Sequence, residues 1–110
     1  MREEADVWLI VMFDLPVDSP ESRREATRFR KNLIDMGFSM AQFSIYAKYT
    51  PTLSQTRFFL AAVKSAIPPY GGVRVLKVTD RQYSAMIRYE NSYLSEPEQA
   101  PEQLSLFDAF

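Results

Sequence analysis

An α+β sandwich, one antiparallel sheet carrying two helices on a single face, is the fold class predicted for this chain of 110 residues. Three observations carry the prediction. A continuous apolar run near the N-terminus reads as a strand, two segments with helical spacing follow with β-formers between them, and a second strand-like run comes after a Pro/Gly break. The length suits one domain with a core of its own, and 46% hydrophobic residues mark it as globular rather than disordered.

Residues 7–14 come first: Val7, Trp8, Leu9, Ile10, Val11, Met12 and Phe13 leave no polar face, so the strand should be buried on both sides. Asp14 closes the run and Pro16 ends it. An unpaired carboxylate in a core costs several kcal/mol or keeps its proton. Asp14 therefore either starts a turn where the strand emerges or is aimed at a cation or partner.

The helix that follows has Ser19 as N-cap, Pro20 at its first position, Glu21 and Glu25 near the positive end of the dipole, and Gly37 as terminator. Ala26, Phe29, Leu33 and Met36 make its buried stripe. Arg24, Arg28 and Lys31 share the same spacing on another face, flanked by Arg23 and Arg30. Residues 38–49 are β-formers too numerous for one ordinary strand, which places a bend or tight turn near 42–44. Alternation assigns Ser44, Tyr46 and Lys48 to a polar outer face and Phe43, Ile45 and Ala47 to the inner one. Residues 52–67 form the second helix, with Leu53, Leu60, Val63 and Ile67 inward. After the break at 68–72, residues 73–79 alternate as a strand, with Val73, Val75 and Lys77 opposite Arg74, Leu76 and Val78. With residues 38–49 doubling back as a hairpin, the order up to 79 is βαββαβ, which is ferredoxin-like, and a capped turn and a short strand near 85–89 follow it. Residues 1–90 are the domain; 91–110 are a Pro- and Glu-rich tail ending in an apolar patch, "QLSLF".

Composition removes whole classes of chemistry. Without cysteine there are no disulfides or thiolate metal sites, and without histidine there is no Ser-His-Asp or Cys-His nucleophile, no His-ligated zinc and no imidazole acid-base work. Catalysis is left to carboxylates, hydroxyls, Lys, Arg, Tyr or a hard metal held by oxygen. No stretch approaches a membrane span of about 20 apolar residues, and "MREEADVW" is too acidic for a signal peptide, so a cytoplasmic protein without membrane contact is expected. The net charge of −1 conceals a segregation: residues 1–90 hold all 13 Lys and Arg against 10 acids, and residues 91–110 hold four acids and no base.

Three constellations bear on function. Mg²⁺ needs only one or two carboxylates besides water and phosphate; Asp14 supplies one, and a twofold dimer with this strand end at its axis would supply another. Arg23, Arg24, Arg28 and Lys31 are either a solvated face paired with Glu21 and Glu25 or a phosphate-contacting strip that ignores base sequence. Leu104, Leu106 and Phe107 form a patch suited to adding a strand to a sheet edge.

These residues bring a resemblance into view. "VMFDLPV" (11–17), "SRREATRFRKNLIDMGFSMAQFSIY" (22–46), "VRVLKVTDRQY" (73–83) and the terminal "QLSLF" resemble, in order and spacing, the small CRISPR-associated adaptation proteins of the Cas-two (Cas2) family. "FDLPV" and "GFSMAQFSIY" look most like the versions in type II CRISPR systems. The resemblance implies a ferredoxin-like homodimer with an extra C-terminal strand, in which Asp14 matches the aspartate credited with Mg²⁺ binding and faces its copy. It implies a role in spacer acquisition, where the dimer bridges CRISPR integrase subunits and short foreign double-stranded DNA lies across the assembly. Arg23, Arg24, Arg28, Lys31 and Lys48 are then the expected nucleic-acid contacts, and Leu104, Leu106 and Phe107 the partner contacts. The family's endoribonuclease name implies a second reading, in which Asp14 serves Mg²⁺-dependent cleavage of single-stranded RNA; a toxin-like ribonuclease is its variant.

Overall fold

The computed structural model describes residues 4–90. In chain order they form β1 (Glu4–Asp14), α1 (Pro20–Asp35), β2 (Ser39–Gln42), β3 (Ile45–Thr52), α2 (Leu53–Ala66), β4 (Gly72–Thr79) and a short α3 (Asp80–Ser84). The strands make one sheet in the order β2-β3-β1-β4, every neighbouring pair antiparallel. This is the α+β, ferredoxin-like arrangement expected from the sequence.

The most apolar segment takes a central position. Leu9 and Val11 of β1 have no exposed surface and Phe13 is 7% exposed. They pack with Phe29 and Leu33 of α1, Val63 of α2, and Phe38 and Tyr46, so both long helices lie on one face of the sheet. The Phe13 ring meets Phe29 edge-on with centroids 5.2 Å apart, a geometry that adds to plain area burial.

Burial of β1 on both faces is not what forms. Trp8, Ile10 and Met12, alternating with the core residues, are only half-buried. By register they share their face with Ile45, Leu76 and Val78. Among the described residues α3 is what approaches it: Tyr83 stacks on Trp8 at 3.8 Å, and the indole Nε1 donates to Asp80 at 2.8 Å. The apolar run is long enough for two covers, and the described chain supplies one.

Local chemistry sets the ends of α1. Ser19 and Ser22 cap reciprocally, each backbone N–H donating to the other's hydroxyl at 3.0 and 3.1 Å. At the other end Gly37 has φ +96°; its N–H reaches the Ile34 carbonyl and that of Phe38 the Leu33 carbonyl, both at 2.9 Å. This left-handed closure suits glycine and turns Phe38 into the core.

Several expectations are corrected. Tyr46 and Lys48 face the helices, Tyr46 with 3% exposure, so the supposed outer face is the inner one. A phenol and a long alkyl stem suit such a site better than their polar ends indicate. Leu53 and Ile67 are 38% and 47% exposed because they stand at the two ends of α2; Val63 and the partly buried Leu60 face inward. The capped turn is α3, with Thr79 and Gln82 as its capping box. Residues 85–90, beyond α3, form no strand. The tail, with Leu104, Leu106 and Phe107, lies outside the described residues.

Candidate nucleic-acid interface and strand-end site

Helical spacing delivers the basic strip. Arg23, Arg24, Arg28 and Lys31 line one shallow groove along α1 together with Pro20, Thr27 and Asn32. Their pairing differs from the expected ladder. Arg28 Nη1 lies 3.6 Å from Glu25 Oε2, and Arg23 Nη1 donates to the Val17 carbonyl at 3.1 Å. Glu21, expected beside Arg24, instead accepts a hydrogen bond from the Tyr70 hydroxyl at 2.9 Å. Arg24 and Lys31 have no side-chain partner among the described residues, leaving their donors available to an external anion.

The Tyr70 contact makes a pH prediction. The hydrogen bond to Glu21, then that carboxylate's charge, holds the Tyr70 hydroxyl above the usual value of 10.0. A group raised on folding contributes stability that is complete below its unfolded value and lost as pH rises through the folded one. In denaturant titrations above pH 10.0, wild type should therefore lose stability more steeply than Tyr70→Phe, with matching slopes near neutrality. Equal slopes at alkaline pH would remove the contact from consideration.

Asp14 is the last residue of β1, opposite Gly72 of β4, and its side chain is exposed. It forms no side-chain hydrogen bond or ion pair among the described residues. The turn after it uses other groups: Ser19 caps α1, and Asp18 accepts from the Ser22 hydroxyl at 3.4 Å. Gly71, at φ +85°, presses on the Asp14 backbone, for a Cβ there would stand 2.5 Å from the Asp14 carbonyl oxygen. Glycine is thus required for the β4 entry to close against this strand end. On the other side the Ser44 carbonyl accepts the Phe13 N–H at 3.0 Å, which fixes the β2–β3 hairpin beside it.

Lys48 stands apart from the α1 groove. Its ammonium lies 4.5 Å from the Phe59 ring centroid, beside Gly37 at the far end of α1.

With this geometry in place, the family model of CRISPR associated protein Cas2 matches the chain over residues 7–86. The chain belongs to the Cas2 family. Curated relatives named CRISPR-associated endoribonuclease Cas2 include one from Paracidovorax avenae, 38% identical over 101 residues, covering 92% of this chain and 94% of the relative. Another, from Parvibaculum lavamentivorans, is 36% identical across 92% of this chain and 100% of its own length. A third, from Treponema denticola, is 44% identical over 78 residues, or 71% of this chain and 77% of the relative.

How well this Cas2 chain fits Mg²⁺ follows from its donors. Among the described residues no group of three or more acids, histidines or cysteines could hold a metal ion. Asp14 offers one exposed carboxylate with no partner among the described residues, as Asp35 does in the last turn of α1; at the strand end it fits half a site of the one-or-two-carboxylate kind, which a symmetry copy would complete. No described helix is long and apolar enough to cross a membrane. Two participants escape a sequence reading: Tyr70, which draws Glu21 off the basic strip, and Arg74, which shares the Asp14 recess. Both depend on pairings between distant segments.

Proposed function

We propose that this Cas2 chain acts in CRISPR spacer acquisition, as a cytoplasmic homodimeric scaffold that holds short foreign duplex DNA for insertion by the CRISPR integrase. The observation that carries the reading is the α1 groove, with Arg24 and Lys31 unpaired among the described residues beside Arg23 and Arg28. Guanidinium groups on a rigid helix suit bidentate contact with backbone phosphates, and no base-reading element accompanies them, so recognition would be indifferent to sequence. Twofold pairing is supported by the apolar sheet face that the described residues leave open around Ile10, Met12 and the 50% exposed Leu76. The segment bearing Leu104, Leu106 and Phe107 is assigned to the subunit or integrase contact.

Isolation of the full chain with its integrase and a short DNA duplex tests the reading. A single complex containing all three is expected; an integrase that retains the duplex equally well without this chain would contradict it.

One observation favours a second reading: Asp14 is exposed at the strand end and has no partner among the described residues. Two such carboxylates brought together by the dimer would hold Mg²⁺, which when bound neutralises phosphate charge and acidifies water for phosphodiester hydrolysis. The chain's own contribution is to place the acids and admit single-stranded RNA. Asp14→Asn should then abolish Mg²⁺-dependent cleavage with the dimer intact, whereas unchanged cleavage would assign it to a contaminant. A toxin-like ribonuclease would instead co-purify with a small antitoxin.

A further inference from the structure

Asp14 and Arg74 are the two charged residues lining one recess, completed by Met12, Phe13, Gly71 and Gly72. The register explains their meeting. Met12 opposes Arg74 and Asp14 opposes Gly72 on adjacent antiparallel strands, and opposite residues share a face. Acid and guanidinium are therefore diagonal neighbours, about 7–8 Å apart at this kind of position, across a residue with no side chain. A Cβ built at Gly72 would meet nothing within 4 Å, so the space between them is open. They nevertheless do not pair: neither side chain has an ion-pair or hydrogen-bond partner among the described residues. A long, flexible arginine beside an exposed carboxylate, with nothing joining them, leaves room for a third group that satisfies both.

We propose that Arg74 is a substrate-binding residue of the strand-end site, gripping the non-bridging oxygens of a phosphodiester held at Asp14 through a divalent cation. The proposal rests on the metal reading of Asp14. Asp14 by itself repels a phosphate; a cation held there reverses that sign and leaves the far side of the phosphate bare. Arg74 faces that side with a planar fork whose donors match two phosphate oxygens. No residue of this recess lines the α1 groove, so the two phosphate-binding loci are separable by mutation. Gly72 has a matching part: it keeps the gap open.

The test uses the full chain and two probes, Mn²⁺ alone followed by electron paramagnetic resonance, and a 2′-O-methyl oligouridine followed by fluorescence anisotropy in Mg²⁺ and in EDTA. Arg74→Ala should weaken oligouridine binding in Mg²⁺ by about tenfold, the loss expected for charge-assisted contacts to one phosphate. It should retain Mn²⁺ binding, duplex DNA binding and the two-chain mass. Arg74→Lys, which keeps the charge and loses the fork, should fall between, and Gly72→Leu, which fills the gap, should match the alanine variant. Unchanged oligouridine binding in Arg74→Ala, with Mn²⁺ still bound, overturns the proposal and leaves the Asp14 reading standing. Mn²⁺ binding that is absent in wild type, or unaltered in Asp14→Asn, overturns both. A monomeric Arg74→Ala assigns the residue to the subunit contact and overturns the proposal as well.

Discussion

Phe29→Ala should destabilise the protein by about 3–5 kcal/mol, the usual loss for emptying a buried aromatic site. Phe29 is 1% exposed and stands where α1 meets the sheet, edge-on to Phe13 and packed with Leu33 and Val63. The cavity would open between β1 and both long helices, and those elements, pinned by the sheet on one side, could collapse only partly into it. Since domains of this size retain about 5–15 kcal/mol in total, the variant should stand close to its unfolding midpoint in mild urea. Phe58→Ala makes the matched control. Phe58 is 65% exposed on α2, with an edge-on contact to Phe59, and should change stability by no more than about 1.5 kcal/mol. Comparable urea midpoints for the two variants would contradict the assignment of the core.

Reversing two charges on α1, Arg24→Glu with Arg28→Glu, should lower affinity for a short DNA duplex by on the order of a hundredfold and flatten its salt dependence by about two units of logarithmic slope. Both residues line the groove, and neither is buried. Arg28 gives up only an exposed pair with Glu25 at 3.6 Å, so folding should be nearly unaffected. Binding therefore separates from stability in this variant, as it does not in Phe29→Ala. Affinity that survives the double reversal, measured with the integrase present at moderate salt, would move the DNA to another face.

What the sequence reveals of this molecule follows the range of the forces involved. α1 is legible to its ends because Ser19, Pro20 and Gly37 act within a few residues of themselves. The apolar stripe of α1 likewise points at the core: Ala26, Phe29 and Leu33 are buried. Failures occur where a partner segment decides. The polarity of Tyr46 and Lys48 argues for an outer face, yet alternation cannot say which side the helices take. Asp14 could be singled out as a carboxylate at the end of an apolar run, but not its neighbour Arg74, because the β1–β4 register alone brings the two side by side. Glu21 and Arg24 have helical spacing for a pair, yet Glu21 engages Tyr70, 49 positions away in the chain.

Both functional readings require two copies, one to join the strand-end acids and the other to make a continuous basic track from two α1 helices. The mass of the full chain in solution, by sedimentation equilibrium at working concentrations, alone and with its integrase, is the most direct measurement of that requirement. Two chains per particle are predicted in both samples. A single chain per particle in both would contradict the proposed geometry and the work assigned to it.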